Sequence, residues 1–266
     1  MSKKQNNSKA RTRSIIRFIC GLAAVACLGY FAVYVYMSDD SSSNFEDLSK
    51  LKDNKKVTVQ AKPVVHLDAP EDAPPVLEEF NALLLKNRNI IGWIQIEDTK
   101  IDYPVMQSKD EEYYLDHNID QEKDNNGAIF IDSDCSIWPR SQNIIIYGHN
   151  MKSGRMFGSL DGYKNKDYYD KHPVIRFDTL YDKGKYRVMY VFNDVVHEEA
   201  EVAFKYYQFI DANSAQEYAS NMNEMKERSL YDTGVESNYG DSLITLSTCD
   251  YSEGAERFVV VAKKVE

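Results

Sequence analysis

The sequence predicts a mainly β fold, a closed barrel or sandwich of seven or eight short strands, and three observations point to it. Short β-rich runs separated by turn residues recur between Trp93 and Ala262, the pattern of small all-β domains. The chain of 266 residues carries 19 tyrosines, a residue type that favours strands. The last two runs, Leu243–Cys249 and Arg257–Ala262, flank the polar turn Asp250–Glu256 and read as an antiparallel hairpin. Side chains alternate along a strand, so Thr245, Ser247 and Cys249 share one face. Antiparallel pairing brings the end of one strand to the start of the next, which places Cys249 and Arg257 about 5–8 Å apart.

The elements follow in order. Residues 1–37 hold six basic residues and no acid, so the remainder carries 26 basic and 42 acidic residues, a net of −16. An acidic body of this kind argues against a nucleic-acid partner. Phe18–Met37 is free of charge, and 20 residues at about 1.5 Å each match the roughly 30 Å hydrocarbon core. The expectation is a single transmembrane anchor (18–37) behind a cytoplasmic basic tail (1–17), with the rest of the chain extracellular. A cleaved signal peptide is the rival; its apolar region is shorter, about 7–15 residues, and ends in small residues, whereas this run ends Tyr-Val-Tyr-Met. Residues 38–75 hold four of the seven prolines and little apolar periodicity, and read as an extracellular linker, with one short strand at Val57–Val59.

The folded domain is expected over 76–266. Val76, Leu77, Phe80, Leu83 and Leu84 recur at helical spacing behind Pro75. Strands follow at Trp93–Ile96, Lys100–Met106, Gly127–Asp132, Asn143–Tyr147, Val174–Asp178, Lys185–Val196 and Glu199–Tyr206. Helical turns are expected at Glu111–Leu115 and within Met156–Tyr169. One longer helix begins behind Asn213, with Gln216 three residues on as in a capping box. Its stripe of Ala215, Tyr218, Ala219, Met222 and Met225 reads as core packing.

Cys249 carries the candidate chemistry. A buried cysteine is often only a small hydrophobe, but Cys249 ends a strand on a polar face beside a permanent cation, and positive charge favours the thiolate. Cys20 and Cys27 lie in the apolar run, which leaves Cys135 as the one possible disulfide partner. Among five histidines, His149 stands out because Gly148-His149-Asn150 terminates the strand Asn143–Tyr147; catalytic Cys and His commonly meet only in the fold. His117, His172 and His197 read as surface residues. No histidine pair stands at i, i+4 and no CxxC occurs, so neither metal nor cofactor is expected. Arg257 opens a buried run, and stabilising an oxyanion gives it a reason to be there. Asp250 and Asn150 read equally well as turn residues.

The segment Thr245-Leu246-Ser247-Thr248-Cys249, the following Arg257 and the upstream Tyr147-Gly148-His149 resemble the signature of sortases, the cysteine transpeptidases of Gram-positive surfaces. The short Cys-to-Arg spacing, Ile91-Gly92-Trp93-Ile94, Ile101-Asp102-Tyr103-Pro104-Val105 and Glu112-Tyr113-Tyr114-Leu115 resemble class B in particular. The resemblance covers roughly Val76–Glu266. It implies an eight-stranded barrel with N-terminal helices and a longer helix before the catalytic-cysteine strand, walling a peptide groove. It further implies Cys249 as nucleophile, His149 as acid and base, and Arg257 on the oxyanion. The partners implied are secreted proteins with a C-terminal sorting signal, cut at a threonine carbonyl, and a peptidoglycan amine that receives it through a thioester. Thr245, Ser247 and Tyr207 are expected to line the groove. Three alternatives stay open: a pilin-polymerising relative, a thiol peptidase that only hydrolyses, and a non-catalytic peptide-binding module.

Overall fold

The computed structural model describes residues 16–32, 45, 47–52, 72–197, 200–249 (Cys249 by its backbone) and 256–266. The chain divides into two compact units, Met1–Asp47 and Leu48–Glu266.

In the first unit, residues 16–32 form one exposed helix. The expected transmembrane helix is not borne out: among the described residues no helix is long and apolar enough to cross a membrane. The described part of this helix, residues 16–32, accounts for about 25 Å at 1.5 Å of rise each, against a hydrocarbon core of roughly 30 Å. Positions 33–37 and the strand expected at Val57–Val59 lie outside the described residues.

The second unit is a closed barrel of eight strands: β1 (Ile90–Gln95), β2 (Asp102–Met106), β3 (Ile129–Ile131), β4 (Asn143–His149), β5 (Val174–Thr179), β6 (Lys185–Val195), β7 (Leu243–Cys249) and β8 (Glu256–Lys264). Their order around the barrel is β1-β2-β3-β4-β7-β8-β6-β5. The eight-strand, mainly β expectation therefore holds. Pairing of β1 with β5, Gly92 opposite Thr179, closes the ring. Gly92 is required there because an added Cβ would stand 2.5 Å from the Asp178 carbonyl oxygen. The hairpin of β7 and β8 is antiparallel, as the sequence predicts.

Beyond the helical residues 48–52, helices among the described residues of this unit are α1 (Asn81–Lys86) behind a 3-10 turn at Glu78–Phe80, α2 (Lys166–Lys171) and α3 (Ala215–Arg228). The cap of α3 is Ser214 rather than Asn213; its hydroxyl accepts from the Glu217 N–H at 3.2 Å. Asn213 instead bonds the Glu217 carboxylate, one step outside the helix. Of the expected stripe, Tyr218, Met222 and Met225 are buried, while Ala215 and Ala219 are exposed. The strand expected at Glu199–Tyr206 is absent from the described residues there; its C-terminal end enters a 3-10 turn at Tyr206–Gln208. That turn and α3 cover the outer face of β6, β7 and β8. Tyr206, Phe209, Tyr218, Met222 and Met225 form one buried cluster with Tyr190, Phe192, Leu243, Val259 and Val261. Burying so much apolar surface fixes that face of the sheet.

The second unit begins well before Val76. Leu48 is fully buried, and the Lys52 ammonium lies 3.5 Å from the Asp178 carboxylate and 5.0 Å from the Trp93 ring centroid.

Candidate active site

Register brings the sequence-predicted residues together. Strands β4 and β7 run parallel in unbroken register from Asn143↔Leu243 to His149↔Cys249. The β7–β8 ladder runs from Leu243↔Lys263 to Ser247↔Val259. Carried two residues further, the same register sets Cys249 opposite Arg257. The β6–β8 ladder pairs Arg257 with Asp194. Directly paired residues share a face, so His149, Cys249, Arg257 and Asp194 occupy one row across four adjacent strands, at one end of the barrel.

His149 is the last residue of β4 and is 4% exposed. Its Nε2 lies 2.6 Å from the Leu115 carbonyl oxygen. A carbonyl only accepts, so Nε2 carries a hydrogen, and in the neutral ring the basic lone pair belongs to Nδ1. The 3-10 turn Tyr113–Leu115 thus fixes tautomer and ring direction. Gly148 allows the close packing beneath: an added Cβ would meet Ile129 Cδ1 at 2.4 Å and the Phe157 ring at 2.9 Å. The Phe157 N–H also bonds the His149 carbonyl at 2.9 Å, pinning the strand end.

Arg257 is partly exposed, and its Nη1 donates to the Glu256 carbonyl at 3.0 Å. The next residue is anchored from the neighbouring strand: the Phe258 N–H donates to the Thr248 hydroxyl at 2.9 Å. This bond ties the start of β8 to the end of β7, next to Cys249.

Of the expected groove residues, Thr245 and Ser247 have no exposed surface. The Thr245 hydroxyl donates to Asn143 Oδ1 at 2.9 Å, and the Ser247 hydroxyl bonds the Tyr206 hydroxyl at 2.7 Å. Asn143 in turn donates to the Phe209 carbonyl at 2.7 Å. These hydroxyls hold the covering turn onto the sheet, and α3 with its preceding turn buries that face. Tyr207 is half-buried and its hydroxyl bridges the His197 backbone, accepting at 3.2 Å and donating at 3.3 Å.

Cys135 is a free, buried thiol, so it forms no disulfide with Cys249. Its Sγ donates to the Asn143 carbonyl and accepts from the Ile145 N–H. Burial pushes the thiol up to about 12, which removes it as a nucleophile. Among the described residues no group of three or more His, Cys, Asp or Glu is placed to hold a metal ion. Sequence reasoning missed the Leu115 carbonyl and Asp194. The first carries no side-chain signal, and the second is found only through the β6–β8 register.

A barrel closed in this order, with a cysteine and a histidine at paired strand ends and an arginine opening the next strand, defines a cysteine transpeptidase of the sortase type. Comparison with known proteins bears this out. A family model described as the sortase domain matches residues 94–265. Sortase B of Listeria monocytogenes is 35% identical over 226 residues, covering 82% of this chain and 88% of its own. Among solved structures, a Staphylococcus aureus sortase B–substrate complex superposes with a TM-score of 0.72 at 28% identity, covering 86% of this chain and 98% of that one. A sortase B complexed with triglycine gives 0.71 at 29% identity, covering 86% and 99%. The chain belongs to the sortase family, in its class B.

Proposed function

We propose that Cys249, His149 and Arg257 perform the transpeptidation, with a sorting signal of a secreted protein as donor and a peptidoglycan amine as acceptor. The register that aligns the three positions on adjacent strand ends carries this reading. The Cys249 thiolate attacks the carbonyl carbon of a threonine, and the carbonyl electron pair moves to an oxyanion held by the Arg257 guanidinium. Collapse breaks the C–N bond, and His149 delivers a proton to the departing amine, leaving a thioester. The acceptor amine attacks that thioester, His149 takes its proton, and the thiolate leaves. One amide is exchanged for another, with no change of oxidation state.

Relatives support the two partners by class: one solved sortase B is a substrate complex and another holds triglycine. In this reading the domain works on the outer side of the cell, where exported proteins meet wall amines. The test incubates the full-length chain with a panel of fluorogenic sorting-motif peptides, with and without triglycine, and follows the enzyme by mass spectrometry. A peptide-sized adduct on Cys249 that clears faster with triglycine is expected. Cleavage with unchanged product partitioning would assign a hydrolase instead. An unreactive Cys249 and no cleavage would leave a binding module.

A further inference from the structure

Asp194 completes the row that runs through the candidate site, and nothing in the proposed chemistry uses it. Its side chain is 9% exposed although it carries a carboxylate. Oδ1 accepts from the Val195 N–H at 2.8 Å and lies 3.7 Å from His197 Nε2. Oδ2 is buried and, among the described residues, has no hydrogen-bond partner. A buried acceptor left without a donor is costly, more so when it is charged. The residue paired with it across the β6–β8 ladder is Arg257, the cation of the site. In the structure the guanidinium makes a bond to the carbonyl of its own neighbour, Glu256.

We propose that Asp194 is a positioning residue for Arg257: Oδ2 accepts from one guanidinium N–H and thereby turns the remaining donors toward the position of Cys249. This rests on the reading that Arg257 serves the oxyanion. Opposite-charge residues directly paired across strands are within reach of each other, and a carboxylate–guanidinium bond is stronger than one to a neutral carbonyl. The guanidinium is a planar fork, so fixing one edge fixes where the other edge points. His197, held between Asp194 and Glu201 (3.1 Å from Nδ1), occupies the other oxygen and leaves Oδ2 to Arg257.

The test needs no knowledge of the sorting motif. Cys249 of the full-length chain is alkylated with iodoacetate or with iodoacetamide, and modification is quantified by peptide mass mapping. A guanidinium held beside the thiolate favours the anionic reagent. Arg257→Ala should lower the iodoacetate-to-iodoacetamide rate ratio by about tenfold, the lower end of electrostatic focusing. Asp194→Ala should lower it too, although it removes a negative charge, and should add nothing in the Arg257→Ala background. A simple charge effect predicts the opposite, a rise. Asp194→Asn, which keeps size and an acceptor oxygen, guards against misfolding and should fall between. His197→Gln should leave the ratio unchanged. An unchanged or raised ratio in Asp194→Ala and Asp194→Asn, or an equal fall in His197→Gln, overturns the positioning role. An unchanged ratio in Arg257→Ala would instead show that Arg257 does not flank the nucleophile, removing the reading beneath.

Discussion

Single residues in the site are separated by their surroundings more than by their type. Cys135 and Cys249 are both thiols of one barrel, yet burial holds the Cys135 thiol near 12. Native protein treated with iodoacetamide near neutral pH should therefore be modified at Cys249 and not at Cys135; labelling of Cys135 without denaturant would contradict its placement. Arg257→Lys tests geometry against charge. A lysine keeps the cation but loses the planar two-donor fork, so kcat/KM should fall by about 10²-fold, whereas turnover near wild type would end the oxyanion role. Asp132 is pushed above the usual carboxylate range by burial, against the hydroxyl of Tyr147 that donates to it at 2.9 Å. The unfolded chain therefore loses this proton first as pH rises. The stability the group contributes is full below the ordinary aspartate range and is lost as pH climbs through the folded value. Asp132→Asn should gain in melting temperature relative to wild type as pH is raised from about 3 to about 7; a constant difference would refute it. The proposed trio is legible in the sequence because Cys249 and Arg257 are close in the chain and His149 ends a recognisable strand. Leu115 and Asp194 are not, because a carbonyl has no side-chain signature and a cross-strand partner is set by pairing between distant segments.

At the scale of elements, strand ends do the positioning and their neighbours decide how tightly. His149 is useful only while β4 packs close beneath it, and Gly148 permits that. Gly148→Ala forces a methyl group against Ile129 and Phe157. We expect a loss of about 1–3 kcal/mol in urea unfolding, the usual cost of overpacking, with His149-dependent turnover falling as well. Ile129→Val, which removes the Cδ1 atom that lies nearest, should recover part of both; no recovery would place the strain elsewhere. The same scale explains what periodicity conveys and what it misses. The alternation in β7 and β8 predicts the hairpin correctly, since both strands are regular and joined by a short turn. The stretch before α3 looks like a strand because it is rich in Val, Phe and Tyr, residues that favour strands. In the fold those aromatic residues serve as a lid on β6, β7 and β8, and such tertiary use leaves no period in the sequence. It also explains the burial of Thr245 and Ser247, whose hydroxyls meet the amide oxygen of Asn143 and the hydroxyl of Tyr206.

At the scale of the whole molecule, the barrel depends on chain that precedes its first strand. The sequence around Leu48 has too little periodicity to announce a role, and it reads as linker. Yet Leu48 is fully buried, and Lys52 sits against Trp93 and the Asp178 carboxylate, which is 6% exposed. Asp178 itself lies at the β1–β5 seam, paired with Trp93. The segment therefore latches the place where the barrel closes. Burial lowers the Lys52 ammonium from its ordinary range, and its attraction to Asp178 opposes that shift, so the pair matters chiefly because removing one partner strands the other. Leu48→Ala should cost about 2–5 kcal/mol, as for other buried leucines, and a chain starting at residue 76 should unfold at lower urea than one starting at residue 48. Lys52→Ala should be as damaging as the truncation only if Asp178 is present; in an Asp178→Asn background its cost should shrink. Equal urea midpoints for the two truncations would show that the barrel closes without its N-terminal segment, and the seam would then have to be held by the β1–β5 ladder alone.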